Sequence, residues 1–99
     1  MKKEIQGVYD WADSKDLRDN STAIDQLMKL DEEAGELWGA VCLDDRPAIA
    51  DELGDVIFCA IIQAYMNNLD PTECLAAAVK KVTKRKGKMV DGLFVKEKY

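Results

Sequence analysis

Ninety-nine residues, 47% hydrophobic and 33% charged with six Gly and two Pro, describe a single helix-rich globular domain spanning 1–99 and exclude a disordered chain. A formal net charge of −5 argues against nucleic-acid binding, and the absence of His removes His-based catalysis and most zinc sites. Three Cys without a CxxC pair, each in an apolar helical setting, read as buried free thiols in a reducing compartment.

The opening Met1-Lys2-Lys3-Glu4 leads into no apolar run, so no signal peptide is expected. The longest apolar run, Val56 to Met66, is broken by Gln63 and is too short to span a bilayer, so a cytoplasmic protein without membrane contact is expected. The average charge hides an asymmetry: Lys80, Lys81, Lys84, Arg85, Lys86 and Lys88 make a basic segment near the C-terminus.

In chain order, Ile5 to about Ser14 reads as a first helix with Ile5, Val8, Tyr9 and Ala12 on one side and Trp11 on its flank. Asp16 to Asn20 is polar and turn-like, and Asn20, Ser21 and Thr22 offer N-caps for a second helix reaching Leu43. Along it Leu27, Leu30, Ala34, Leu37 and Val41 recur at three- and four-residue steps as an apolar stripe. By the helix's rotation per residue, Glu33 falls roughly 40° off that stripe, at the rim of the predicted core. Gly35 and Gly39 weaken this helix and suggest the close approach of a backbone or ligand.

Pro47 suits the first turn of a third helix that reaches about Asn68. Its second half is apolar nearly all round, which predicts a subunit interface around Phe58, Ile61, Ile62 and Tyr65. Asp70-Pro71-Thr72-Glu73 starts a fourth helix with a capping box. That helix is expected to run to about Lys86 with Gly87 as its C-cap. Asp91-Gly92 signals a turn, and Leu93-Phe94-Val95 a short extended piece.

The chemistry lies in two acid pairs, Glu33 with Glu36 and Glu52 with Asp55. Residues three apart share a helix face. Glu36 stands eight residues before Asp44, and Glu52 seven after Asp45. At about 1.5 Å rise per residue, both lie roughly 11–12 Å from the intervening turn, so an antiparallel hairpin brings all four acids to one level. Converging carboxylates repel unless a cation sits among them, and oxygen ligands alone favour Mg²⁺, or Mn²⁺, over zinc. The bland alternative is that these acids, with Glu32 and Asp51, are a solvated helix surface. The basic segment likewise has three readings: a solvated helix end, phosphate contact beside the metal, or a nucleic-acid patch. Lys81 and Arg85, four apart, share a face if the helix continues. Of the two Trp residues, spacing does not choose which would cover a nucleobase.

Lys29-Leu30-Asp31-Glu32-Glu33-Ala34-Gly35-Glu36-Leu37 followed by Glu52-Leu53-Gly54-Asp55-Val56 resembles the MazG-like nucleoside triphosphate pyrophosphohydrolases, whose signature is ExxE, a gap, then ExxD. The tail from Lys84 to Glu97 is similar to the C-terminus of short phage-type members, and Trp11 and Leu17 fall where those carry a Trp-containing first helix. The resemblance implies an all-α fold: a chain of four antiparallel helices assembling into a helical-bundle dimer or a tetramer made of two dimers. It further implies Mg²⁺-dependent cleavage of NTP or dNTP to monophosphate and pyrophosphate, suited to clearing the nucleotide pool. Glu33, Glu36, Glu52 and Asp55 match the metal ligands, and Lys81 and Arg85 the phosphate-contacting region. Glu36 and Glu52 are the expected proton acceptors for the attacking water. The competing function class is a non-catalytic helical module that binds a metal or a protein partner through the same acids.

Overall fold

A computed structural model of the chain describes residues 1–97. Among them lie five helices and one two-stranded sheet: α1 (Lys2–Ser14), α2 (Leu17–Asn20), α3 (Ala23–Cys42), α4 (Arg46–Met66), α5 (Pro71–Thr83), β1 (Gly87–Val90) and β2 (Leu93–Lys96). The chain divides into two compact units, Met1–Leu69 and Asp70–Tyr99.

Local chemistry sets most boundaries of the first unit. Thr22 caps α3 in a full capping box: its hydroxyl accepts from the Asp25 N–H, and the Asp25 carboxylate accepts from the Thr22 N–H. Asp45 caps α4 by accepting from the Ala48 N–H at 3.2 Å, with Pro47 in the first turn where no N–H is needed. Asp44, in the left-handed region at φ 50°, reverses the chain between the two long helices. They fold back on each other as a hairpin. Its far end is tied by Gln63, whose Nε2 donates to the Ala23 carbonyl at 3.0 Å.

The core sits at the C-terminal half of α4. Val8 and Ala12 of α1, Leu17 of α2, and Ile61, Ile62 and Tyr65 of α4 form one buried cluster, with Ile5, Tyr9, Phe58 and Met66 packed around it. The predicted inward face of α1 is the observed one. Of the four residues expected at a subunit interface, Ile61, Ile62 and Tyr65 are buried in this intrachain cluster and Phe58 is half-buried beside it. Arg18 locks that corner: it donates to the Tyr65 carbonyl at 2.9 Å and lies over the Tyr65 ring, 4.0 Å from the centroid. The Tyr65 hydroxyl donates to Asp13.

The short α2 falls where the sequence reads as a turn. Asp16, in the left-handed region at φ 48°, starts it, and its single apolar side chain, Leu17, is drawn into the core. The phase of α3 also differs from the predicted stripe. Glu33 and Ala40 are buried and Leu30 and Leu37 half-buried, whereas Leu27, Ala34 and Val41 are exposed. The helix has been turned so that Glu33 lies on the side facing α4, inside the seam and not at its rim. A Cβ at Gly35 or Gly39 would meet nothing within 4 Å, so neither accommodates a close approach within the chain. Cys59 alone is a buried thiol; Cys42 and Cys74 are exposed, which corrects the uniform expectation for the three.

In the second unit, Asp70 caps α5 by accepting from the Thr72 N–H at 2.8 Å, one residue earlier than a capping box uses. The helix stops at Thr83 with Lys84 as C-cap, short of the predicted Lys86. Gly87 is no helix cap: it opens β1 opposite Lys96 of β2. A Cβ there would collide with the Val95 carbonyl and sit 2.7 Å from the Phe94 ring, so the cross-strand approach requires glycine. The hairpin turns on Asp91-Gly92, both at positive φ, as a two-residue turn demands.

Candidate metal centre

Each acid of interest is held by the α3/α4 hairpin. Glu33 projects from the buried side of α3 and is 7% exposed. It belongs to two carboxylate groups at once. With Glu52 and Asp55 it forms one set, and with Glu32 and Glu36 another; in each set, one oxygen per residue lies within 4.8 Å of the others. Of the four acids singled out by spacing, Glu33, Glu52 and Asp55 fall in one group and Glu33 and Glu36 in the other, with Glu33 common to both.

Such crowding has an electrostatic signature. The Glu52 carboxyl is pushed up to about 7, first by burial, then by the hydrogen bond to Glu36 and the charges of Glu36, Asp55 and Asp51. Two buried oxygens, Glu33 Oε2 and Glu52 Oε2, make no hydrogen bond among the described residues. A buried polar atom without a partner is costly and rare in a folded chain. A cation offers what both lack, and a set made wholly of carboxylates suits a hard divalent ion.

Lys29 is the counter-charge already in place. Its Nζ lies 3.0 Å from Glu33 Oε1 and 3.3 Å from Glu32 Oε1. Those carboxylates raise it to about 12, Glu33 most strongly. Glu32, a neighbour of uncertain purpose in the sequence, thus engages the ammonium from an exposed position.

Beside the acids opens a cavity of about 230 Å³ lined by Glu33, Asp55, Lys29, Gln26, Cys59 and Ile62, with Trp11 and Phe58 as its aromatic wall. The two rings meet edge to face, centroids 5.4 Å apart. Of the two tryptophans, Trp11 lines this cavity and Trp38, 75% exposed, does not. Burial raises the Cys59 thiol above its ordinary value, keeping it protonated.

Lys81 and Arg85 lie in the second unit. Lys81 is in the last turn of α5 and exposed; Arg85 is past the helix end, its N–H donating to the Val82 carbonyl. The shared helix face expected for the pair therefore does not form. Lys29 and Phe58 received no functional role from the sequence. The available signal for Lys29 was its place one helical turn before Glu33.

The structure is a helical protein with carboxylate groups gathered between two antiparallel helices, beside an aromatic-walled cavity. Residues 22–90 match the MazG nucleotide pyrophosphohydrolase domain, and the chain belongs to that family. It is also similar to an uncharacterised 18.2 kDa protein of the rep–hol intergenic region of Haemophilus phage HP1 (strain HP1c1), at 33% identity over 70 residues. That match covers 71% of this chain and 43% of the phage protein, so the chain spans less than half the length of that relative. No solved structure matches the chain.

Proposed function

We propose that this chain hydrolyses nucleoside triphosphates, NTP or dNTP, to the monophosphate and pyrophosphate, with Mg²⁺ (or Mn²⁺) held by Glu33, Glu36, Glu52 and Asp55. The observation that carries the reading is Glu33, buried with one oxygen unpartnered and common to both carboxylate groups. Family membership supplies the reaction class. A bound Mg²⁺ would offset phosphate charge and activate a water for attack at phosphorus.

The chain's own groups divide the remaining work. Glu52, with its carboxyl near 7, is poised to accept the water's proton at neutral pH, with Glu36 the second candidate for that role. Trp11 and Phe58 offer an apolar wall for the base. Lys81 and Arg85 supply charge for phosphate oxygens. A net charge of −5 makes nucleotides better partners than nucleic acid, and no helix among the described residues is long and apolar enough to cross a membrane. We place the protein in the cytoplasm, where its free thiols stay reduced.

The active form is a homodimer or tetramer. What supports this is the amount of apolar surface left open on the α3/α4 hairpin: Leu27, Trp38 and Val41 of α3, with Leu53 and Ile57 of α4, are all exposed. The deciding experiment is incubation with each NTP and dNTP plus Mg²⁺, followed by assay of pyrophosphate. Monophosphate with pyrophosphate supports the enzyme. Orthophosphate argues for a different hydrolysis, and no product returns the chain to a non-catalytic helical module.

A further inference from the structure

Lys29 and Glu33 stand four apart on α3, a spacing at which most ion pairs are exposed on both sides and contribute little. This pair is asymmetric. The Lys29 side chain is 49% exposed, and the Glu33 side chain only 9%. A buried carboxylate is costly unless paired, so the ammonium has a firm hold on it. That hold is on one oxygen. Oε1 meets Lys29, while Oε2 is buried without a hydrogen bond among the described residues, on a side chain that converges with Glu52 and Asp55.

A carboxylate rotates about its last bond, and either oxygen can ligate. Pinning one of them fixes the rotation and leaves the other for a ligand. We propose that Lys29 is a positioning residue of the metal centre: by holding Glu33 Oε1 it presents Oε2 to the cation that Glu33 shares with Glu52 and Asp55. This inference rests on the metal-centre reading above. Partners that orient a metal ligand from behind typically change metal affinity by about 10–100-fold.

The test is titration calorimetry of Mg²⁺ into the full chain, without nucleotide, for wild type, Lys29→Met and Lys29→Arg. Met keeps a long unbranched side chain of similar helix propensity and removes the charge. The expected result is Mg²⁺ binding weakened about 10-fold or more in Lys29→Met and largely restored in Lys29→Arg. Unchanged affinity in Lys29→Met reduces the pair to an ordinary helix-surface contact and overturns the inference. Tighter binding overturns it too, since the ammonium then competes with the metal for Glu33. Equal weakening in both variants, accompanied by the same fall in melting temperature in EDTA, marks a packing role and also overturns it. Wild type that takes up no Mg²⁺ sinks the metal centre and this inference together; wild type that binds, with Lys29→Met binding equally, sinks this inference alone.

Discussion

Replacing Glu52 by Gln separates the metal centre from the fold. The Glu52 carboxyl is pushed up to about 7 by burial, Glu36 and the neighbouring acids, so its ionised form opposes folding. At pH 8 that opposition is fully expressed. Gln preserves size and helix propensity, removes the charge and brings an NH₂ group that can donate to Glu36. In EDTA the variant is therefore expected to melt at or above the wild-type temperature. In Mg²⁺ the order reverses. Free metal at 100 times its Kd adds about 2.7 kcal/mol to the state that binds it. For a 99-residue chain, a melting entropy near 2.1 cal/mol/K per residue converts 1 kcal/mol to about 5 °C, so the wild type gains about 13 °C.

A variant binding 100-fold more weakly meets the same Mg²⁺ at about its Kd and gains only about 0.4 kcal/mol, or about 2 °C. The assay is a circular-dichroism melt of both proteins at pH 8, in EDTA and in Mg²⁺, beside a pyrophosphate assay in which the variant falls by orders of magnitude. A wild type that melts identically in EDTA and Mg²⁺ refutes the metal centre. A variant that melts well below wild type in EDTA refutes the claim that the carboxylate is under electrostatic pressure.

Arg85→Ala is expected to raise KM for the triphosphate more than it alters Mg²⁺ affinity, because it removes a charge-assisted phosphate contact; unchanged steady-state kinetics would leave the basic segment as solvated cations. Ile61→Ala, at the buried α1/α4 contact, is expected to cost about 2–5 kcal/mol and lower Tm by about 10 °C or more, equally in EDTA and Mg²⁺, as a pure packing loss. A change of a degree or two would mean that this cluster does not carry the fold. For the metal-free protein, Glu52 holds its proton in the folded chain up to about 7 and releases it near 4.5 when unfolded. The contribution of Glu52 to stability is thus fully present below about 4.5 and is lost as pH rises through about 7. Urea unfolding in EDTA across that range tests the sign, and Glu52→Gln should flatten this part of the profile.

The elements most legible in the sequence are those specified locally. Thr22 and Asp70 as caps, Pro47 and Pro71 in first turns, and Asp91-Gly92 as a two-residue hairpin turn each act through residues a few places away. Convergence of Glu33 with Glu52 and Asp55 was legible for a related reason: three-residue spacing and near-equal distance from one turn fix the geometry once two helices fold back. Phase was not legible. The stripe through Leu27, Ala34 and Val41 says which side of α3 avoids water, but not what covers it. The fold gives α4 the neighbouring side, with Leu30, Leu37 and Ala40, and buries Glu33 with them. Nor does local sequence show that Gly87 must admit the Val95 carbonyl and Phe94, or that Leu17 draws its short polar neighbourhood into a helical turn.

These misreadings share one physical cause. An all-round apolar helix such as the second half of α4 reports that it is dry on every side, and a covering helix from the same chain satisfies that as well as a second subunit does. Here α1 and α2 supply the cover, which concentrates packing at one end of the hairpin, around Ile61, Ile62 and Tyr65. The other half of the same seam carries Glu52 and Asp55 against Glu33 and Glu36, where like charges and unpartnered oxygens oppose closure. A helix hairpin tolerates that because its two halves are joined through the rigid rods of α3 and α4: the apolar half fixes the spacing that the acidic half would relax if left alone. The strain at the acids is relieved by protonation, as at Glu52, or by a species that brings positive charge to several oxygens at once. Among the described residues, Lys29 forms ion pairs with Glu33 and Glu32 only. On the proposed reading, a cation from solution would offset the repulsion between Glu36, Glu52 and Asp55.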